Sequence, residues 1–150
     1  AHYWYDEMVR DGGLPIIHIA DAALAELERH GSPGNTIGLI GTKGTLAAGF
    51  FQQRLQDRGL TPLINDEADI DRYVLPAIVH VKRNELEAAG RLLSIAVGQL
   101  IERGASGVIL ACTETPVVID RLPPALASRC VDATRALAKA CVQWWRSNAA

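Results

Sequence analysis

Cysteine is scarce in this 150-residue chain, with three residues at positions 112, 130 and 141. The count is odd and no C-x-x-C pair occurs, so neither a disulfide framework nor a cysteine-based zinc site is indicated. Long apolar runs are also lacking. A stretch such as "GVILAC" (107–112) falls far short of the ~20 residues needed to span a bilayer. Basic tracts are missing too: net charge is −2, and scattered lysines and arginines offer no surface for nucleic acid or anionic membrane. The first residues, "AHYWYDEMVR", are unlike a secretory or targeting segment. A reducing cytoplasm is the expected compartment. The 49% hydrophobic and 21% charged content describes one globular domain, long enough to bury a core.

Along the chain, apolar runs of about five residues alternate with helical patterns of ten or more. A helical stub covers 2–10 and is stopped by Gly12, Gly13 and Pro15. "PIIHI" (15–19) reads as a buried β-branched strand, and the alanine-rich helix "ADAALAELERHG" ends at Gly31. After the turn "SPGN", "TIGLI" (36–40) is a strand, followed by "GTKGT" and a helix from Leu46 to Arg58. "TPLIN" (61–65) is a further strand. Helices follow at 69–82, bent at Pro76, and at 85–103. "GVILA" (107–111) is a strand, and a short helix starts at Pro116. "RLPPALASR" is a loop, "CVD" (130–132) a last short strand, and 133–147 the final helix. Such alternation predicts an α/β domain with a parallel sheet flanked by helices.

In parallel sheets, chemistry gathers where strands deliver their C-terminal ends to loops. Two loops here carry suitable residues. In "GVILACTETP" the thiol of Cys112 lies just past a strand, with Thr115 as N-cap and Pro116 in the first helical turn. A helix N-terminus favours anions and lowers a thiol pKa, whereas the nearby Glu114 opposes thiolate formation. The alternative is an inert buried cysteine. In "GLIGTKGT", Lys43 precedes Gly44 and the glycines at 38, 41 and 44 are spaced by three, so neither a Walker loop nor a dinucleotide fingerprint is formed. A glycine-rich turn with two hydroxyls, Thr42 and Thr45, remains. It can hold a small carboxylate at a helix start, or Thr45 can simply cap that helix.

Together, "GLIGTKGTLAAGFFQQRL" and "GASGVILACTETPVVI", with "PIIHIADA" before and "VDATRALAKA" after, resemble the aspartate/glutamate racemase family of cofactor-independent amino-acid racemases. The family carries a G-T-x-G-T loop and a later G-C-T-E or G-C-T-H loop. Glu114 after Cys112-Thr113 is similar to the aspartate branch, and Ala111 stands where the family usually has glycine. The resemblance implies two facing α/β lobes, each offering one cysteine, with the substrate between them. One thiol removes the Cα proton and the other delivers a proton to the opposite face. It implies no cofactor and no metal, and an acidic amino acid, aspartate or glutamate, as the small-molecule substrate.

The sequence "AHYWYDEM" is similar to the stretch immediately after the family's first cysteine motif. The resemblance therefore implies that 14–132 is the second lobe, and that 1–13 and 133–150 are helices belonging to the first. The partner expected is that first lobe or a second copy in a homo-oligomer. Cys112 is then the catalytic acid/base. Thr42, Lys43, Gly44, Thr45, Thr113 and Glu114 are the substrate-binding set, with Lys43 alternatively pointing to solvent. Two other readings remain open, a single-cysteine relative such as an arylmalonate decarboxylase and a lobe without turnover. His18 and His80 are expected in structural or surface roles, Cys130 and Cys141 as packing residues, and Asp132 as a helix cap. The final helix, with Leu137, Cys141, Trp144 and Trp145, is too apolar for a free surface.

Overall fold

The computed structural model describes residues 4–13, 15–31 and 34–148. Its elements are α1 (Tyr5–Gly12), α2 (Ile19–Arg29), β1 (Thr36–Ile40), α3 (Lys43–Ala48), α4 (Phe50–Gln56) and β2 (Thr61–Ile64). They continue with α5 (Glu67–Asp69), a π-helical turn (Ile70–Val74), α6 (Leu75–Lys82), α7 (Leu86–Glu102) and β3 (Gly107–Leu110). A 3₁₀ segment (Thr115–Arg121), α8 (Pro124–Ala127), β4 (Cys130–Asp132) and α9 (Ala133–Asn148) complete the chain. The four strands form one parallel sheet in the order β2-β1-β3-β4. No described helix is long and apolar enough to cross a membrane.

Period-two alternation divides the strands between two cores. Ile37 and Leu39 of β1, Ile109 of β3 and Val131 of β4 face one way, against Leu24 and Leu27 of α2 and Phe51 and Leu55 of α4. Ile40, Val108, Leu110 and Cys130 face the other way, against Leu93, Val97 and Leu100 of α7 and Val74, Ala77 and Ile78 of the helical run before it. Each fully buried Leu or Val in these layers contributes about 1.5–3 kcal/mol. Gly38 lets α7 approach β1: a Cβ there would lie 3.0 Å from Leu100 Cδ1 and 3.0 Å from Val108 Cγ2.

The order of the strands follows from the crossovers. The first two of the three crossovers are both right-handed only if the leftward step from β1 to β2 and the rightward step from β2 to β3 carry their helices on opposite faces. The chain does this, with α4 in one core and α6–α7 in the other. The strand order therefore reverses between β1 and β3.

Several elements differ from the sequence reading. "PIIHI" is not a strand. Residues 15–18 have no regular structure, and His18 instead caps α2, its Nδ1 accepting the Ala20 N–H at 3.1 Å. The helix expected over 46–58 is two helices meeting at Gly49, whose φ of 73° breaks the run. Pro76 has no N–H and its ring crowds the preceding turn, and the helix widens into the π turn just before it. The expected loop at 121–129 contains the single turn α8. The expected turn at 32–35 lies partly outside the described residues, as do Ala1–Tyr3, Leu14, Ala149 and Ala150.

Helix α1 and the distal half of α9 are largely exposed. The α1 helix has no buried residue. In α9, Ala133 and Ala136 are buried and Lys139 reaches Glu26 of α2, but Val142, Trp144 and Trp145 are exposed. Cys141, expected to pack, is exposed as well. It sits on the distal turns of α9, where every residue from Cys141 to Asn148 is exposed.

Candidate active site

The reversal of strand order puts the switch point of the sheet at the C-terminal ends of β1 and β3, the usual ligand position in open α/β sheets. The two loops singled out in the sequence meet there. The Ala111 N–H donates to the Ile40 carbonyl at 2.8 Å, so "GTKGT" and "CTETP" leave the sheet side by side. Gly41 instead gives Thr45 room within its own loop: a Cβ on it would lie a tight 3.3 Å from Thr45 Cβ, but at an ordinary 3.8 Å from Ala111 Cβ.

In the first loop Thr42, not Thr45, is the N-cap. Its Oγ1 accepts the Thr45 N–H at 3.2 Å, and the two hydroxyl oxygens lie 3.0 Å apart. The Thr42 side chain must accept at the first turn of α3 because that amide has no helical carbonyl behind it. A Cβ on Gly44 would meet only Thr42 Oγ1, at 3.9 Å, so the space beside the hydroxyl pair is open. Lys43 does not point freely to solvent. Its ammonium lies 3.1 Å from Glu67 and 2.7 Å from Asp71, which tie the loop to α5 and the π turn and raise its pKa.

In the second loop the Cys112 Sγ donates to Glu114 Oε2 at 2.9 Å, and Thr113 Oγ1 donates to the same oxygen at 2.9 Å. The other carboxylate oxygen is 3.4 Å from the ammonium of Lys82, at the end of α6. Glu114 is held down to about 2, first by the thiol and then by the Thr113 hydroxyl, with Lys82 contributing. It is therefore a stable anion at neutral pH. The Cys112 thiol is pushed up, by burial first and by the Glu114 carboxylate second.

This corrects the expectation of a thiol pKa lowered by a helix N-terminus. Thr115 caps nothing through its side chain; its Oγ1 donates to the Cys112 carbonyl at 3.2 Å, and the following segment is a 3₁₀ stretch broken at Val118. So short and irregular an element has little dipole to offer. Cys112, only 8% exposed, rests as a protonated thiol. Such a group is a proton donor aimed from the strand end, and it becomes a base only after giving its proton away.

The remaining candidates lie elsewhere or serve the framework. His18 is buried, with the Tyr5 and Phe50 rings against it. His80 on α6 is partly exposed and bonds Glu85. Cys130 is buried, its thiol pushed up to about 12 by that burial. Asp132 Oδ1 accepts the Arg135 N–H at 3.0 Å, at the start of α9. Among the described residues no group of three or more His, Cys, Asp or Glu side chains could hold a metal ion. Lys82 is the residue sequence reasoning missed. It lies 30 positions before Cys112 in an apolar helix, and no local pattern connects the two.

The structure thus brings together, at the switch point of a parallel sheet, a thiol bonded to a carboxylate and a turn carrying two hydroxyls. The sequence profile of the Asp/Glu/Hydantoin racemase family matches residues 1–141, and the chain belongs to that family. It is 26% identical over 142 residues to an uncharacterized Pectobacterium carotovorum protein encoded in the pnlA 3′ region, covering 95% of this chain and 93% of that one. To the broad specificity amino-acid racemase RacX of Bacillus subtilis it is 23% identical over 142 residues, covering 95% of this chain and 60% of the relative. The fold matches a crystal structure of an aspartate racemase homologue from Pyrococcus horikoshii with a TM-score of 0.79 at 21% identity, covering 95% of this chain and 62% of that one. The chain thus spans about three-fifths of the length of the two racemase-type relatives.

Proposed function

We propose that this chain takes part in cofactor-independent racemisation of an acidic amino acid, aspartate or glutamate, with Cys112 as the acid/base on one face of Cα. The observation that carries the reading is the Cys112 thiol bonded to Glu114, at a strand end paired with the one that leads into the Thr42–Thr45 turn. A Cα proton is a very weak acid, so the carbanion must be stabilised as it forms. Thr42 and Thr45 hydroxyls, with the backbone amides of Lys43 and Gly44, are the donors aimed at the substrate carboxylate. Cys112 then protonates the carbanion: the S–H bond breaks, the C–H bond forms, and a thiolate remains that serves as base in the reverse direction. Thr113 and Glu114 hold the thiol in place. Lys43 keeps the turn fixed through Glu67 and Asp71.

Inversion needs a second acid/base on the opposite face. In this proposal residues 14–132 act as one lobe, and a facing lobe, against which α1 and α9 would pack, supplies it. The name of the Bacillus relative broadens the substrates worth testing beyond aspartate and glutamate. The experiment is deuterium incorporation at Cα, followed by proton NMR in D₂O, with each enantiomer of aspartate, glutamate and a neutral amino acid offered separately. Exchange that Cys112→Ser abolishes supports the assignment. Full exchange in Cys112→Ser would show that another group moves the proton.

A further inference from the structure

Glu114 has two oxygens with different tasks. One accepts both the Cys112 thiol and the Thr113 hydroxyl, and the other lies 3.4 Å from Lys82 Nζ. Lys82 belongs to α6, which packs against the same apolar cluster as Cys112. It is the only link among the described residues that ties the Glu114 carboxylate to an element outside its own loop. Without it, the negative charge of Glu114 beside the sulfur has no cation against it, and only the bonds within the loop hold the carboxylate.

We propose that Lys82 is a positioning residue: by holding the outer oxygen of Glu114 it fixes the carboxylate against Cys112 and sets how readily that thiol releases its proton. This rests on the reading of Cys112 as the acid/base. The sign follows from Coulomb's law. A cation at Glu114 offsets the negative charge facing the sulfur, so its removal disfavours thiolate and shifts ionisation to higher pH.

Among the described residues no other cation bonds Glu114, and several of the charged groups on the elements around Cys112 have partners of their own. On α6 and after it, His80 bonds Glu85, and Arg83 follows Lys82. On the π turn, Asp71 bonds Lys43, and Arg72 lies over the Tyr73 ring. On the 3₁₀ segment, Arg121 bonds Glu87 of α7, next to Asp120. Lys82 is thus the cation placed to act on Glu114. Its side chain is 64% exposed, so solvent screens the pair and the expected effect is modest.

The test is the pH dependence of iodoacetamide alkylation of Cys112, read on its peptide by mass spectrometry in a Cys141→Ser background. The rate follows the thiolate fraction. Lys82→Met is expected to raise the midpoint by about half a pH unit, roughly threefold slower alkylation below it. Lys82→Arg should restore the parent midpoint. Glu114→Gln should lower it by about one unit, and in that background Lys82→Met should move it by less than half as much. An unchanged midpoint in Lys82→Met, or an equal shift with and without Glu114, overturns the proposal. The readout needs no turnover, so a failure of Cα exchange would sink the racemase reading while leaving the role of Lys82 to be decided by alkylation.

Discussion

Two glycines of the same helix should respond to alanine in opposite directions. Gly90 of α7 faces the 3₁₀ segment, and a Cβ there would sit 2.5 Å from Arg121 Cβ, 3.4 Å from its Cγ and 3.6 Å from its carbonyl oxygen. The nearest atom is fixed to the backbone, so the two segments must separate. Alanine gains about 0.5–1 kcal/mol of helix propensity, while overpacking costs about 1–3 kcal/mol. The expected net loss for Gly90→Ala is about 1–2 kcal/mol. At this chain length that lowers Tm by roughly 2–8 °C. Gly98, two turns further on, has nothing within 4 Å of its Cβ position. Gly98→Ala keeps the propensity gain alone, about 0.5–1 kcal/mol, and raises Tm by roughly 1–4 °C. Thermal unfolding by circular dichroism, backed by urea titration, reads both. A Gly90→Ala protein as stable as the parent would refute the close approach of α7 to residues 115–121. A Gly98→Ala protein that loses stability would refute the open space.

Glu114 has a folded-state pKa of about 2 against its usual 4.5, so its contribution to stability is complete above about pH 4.5 and is lost as pH falls toward about 2. In urea titrations across that window Glu114→Gln should show a flatter acid limb than the parent, and superimposable limbs would refute the pairing. Alkylation of the folded protein should modify the exposed Cys141 first. Cys130, buried and pushed up to about 12, should react only at the rate of unfolding, and prompt labelling of Cys130 would contradict its burial. Thr42→Ala should cost about 1 kcal/mol through the lost cap, with Thr42→Ser close to the parent, and equal stability of all three proteins would remove Thr42 from the cap.

Much of the fold was legible in the sequence. The runs at 36–40, 61–64, 107–110 and 130–132 are strands because short β-branched and apolar stretches bounded by turn residues have few other ways to be buried. The long helices at 19–29, 86–102 and 133–148 follow from their 3.6-residue periodicity. The thiol and the G-T-K-G-T turn were legible as candidates because each follows a strand, and their proximity was implied by the family resemblance. "PIIHI" misled because a short apolar run has no periodicity that separates a strand from an extended lead-in, and His18 is taken up by a cap and by the Tyr5 and Phe50 rings. Cys141 misled because an apolar helix face announces burial without saying what buries it.

By itself, then, the sequence determined four strands, the long helices and the family resemblance, and it offered two loops as candidates, since periodicity and motifs are written in short stretches of chain. The tertiary structure decided the rest. The strand order β2-β1-β3-β4 sets the two loops at one switch point. Burial, with Glu114 second, keeps Cys112 a thiol, where the local pattern set a helix N-terminus against Glu114. Lys43 is bound by Glu67 and Asp71, 24 and 28 positions away, and Lys82 is brought to Glu114 across the packing of α6 on the core. Charge interactions and desolvation act through space, and the distances they depend on do not exist until the chain has closed on itself.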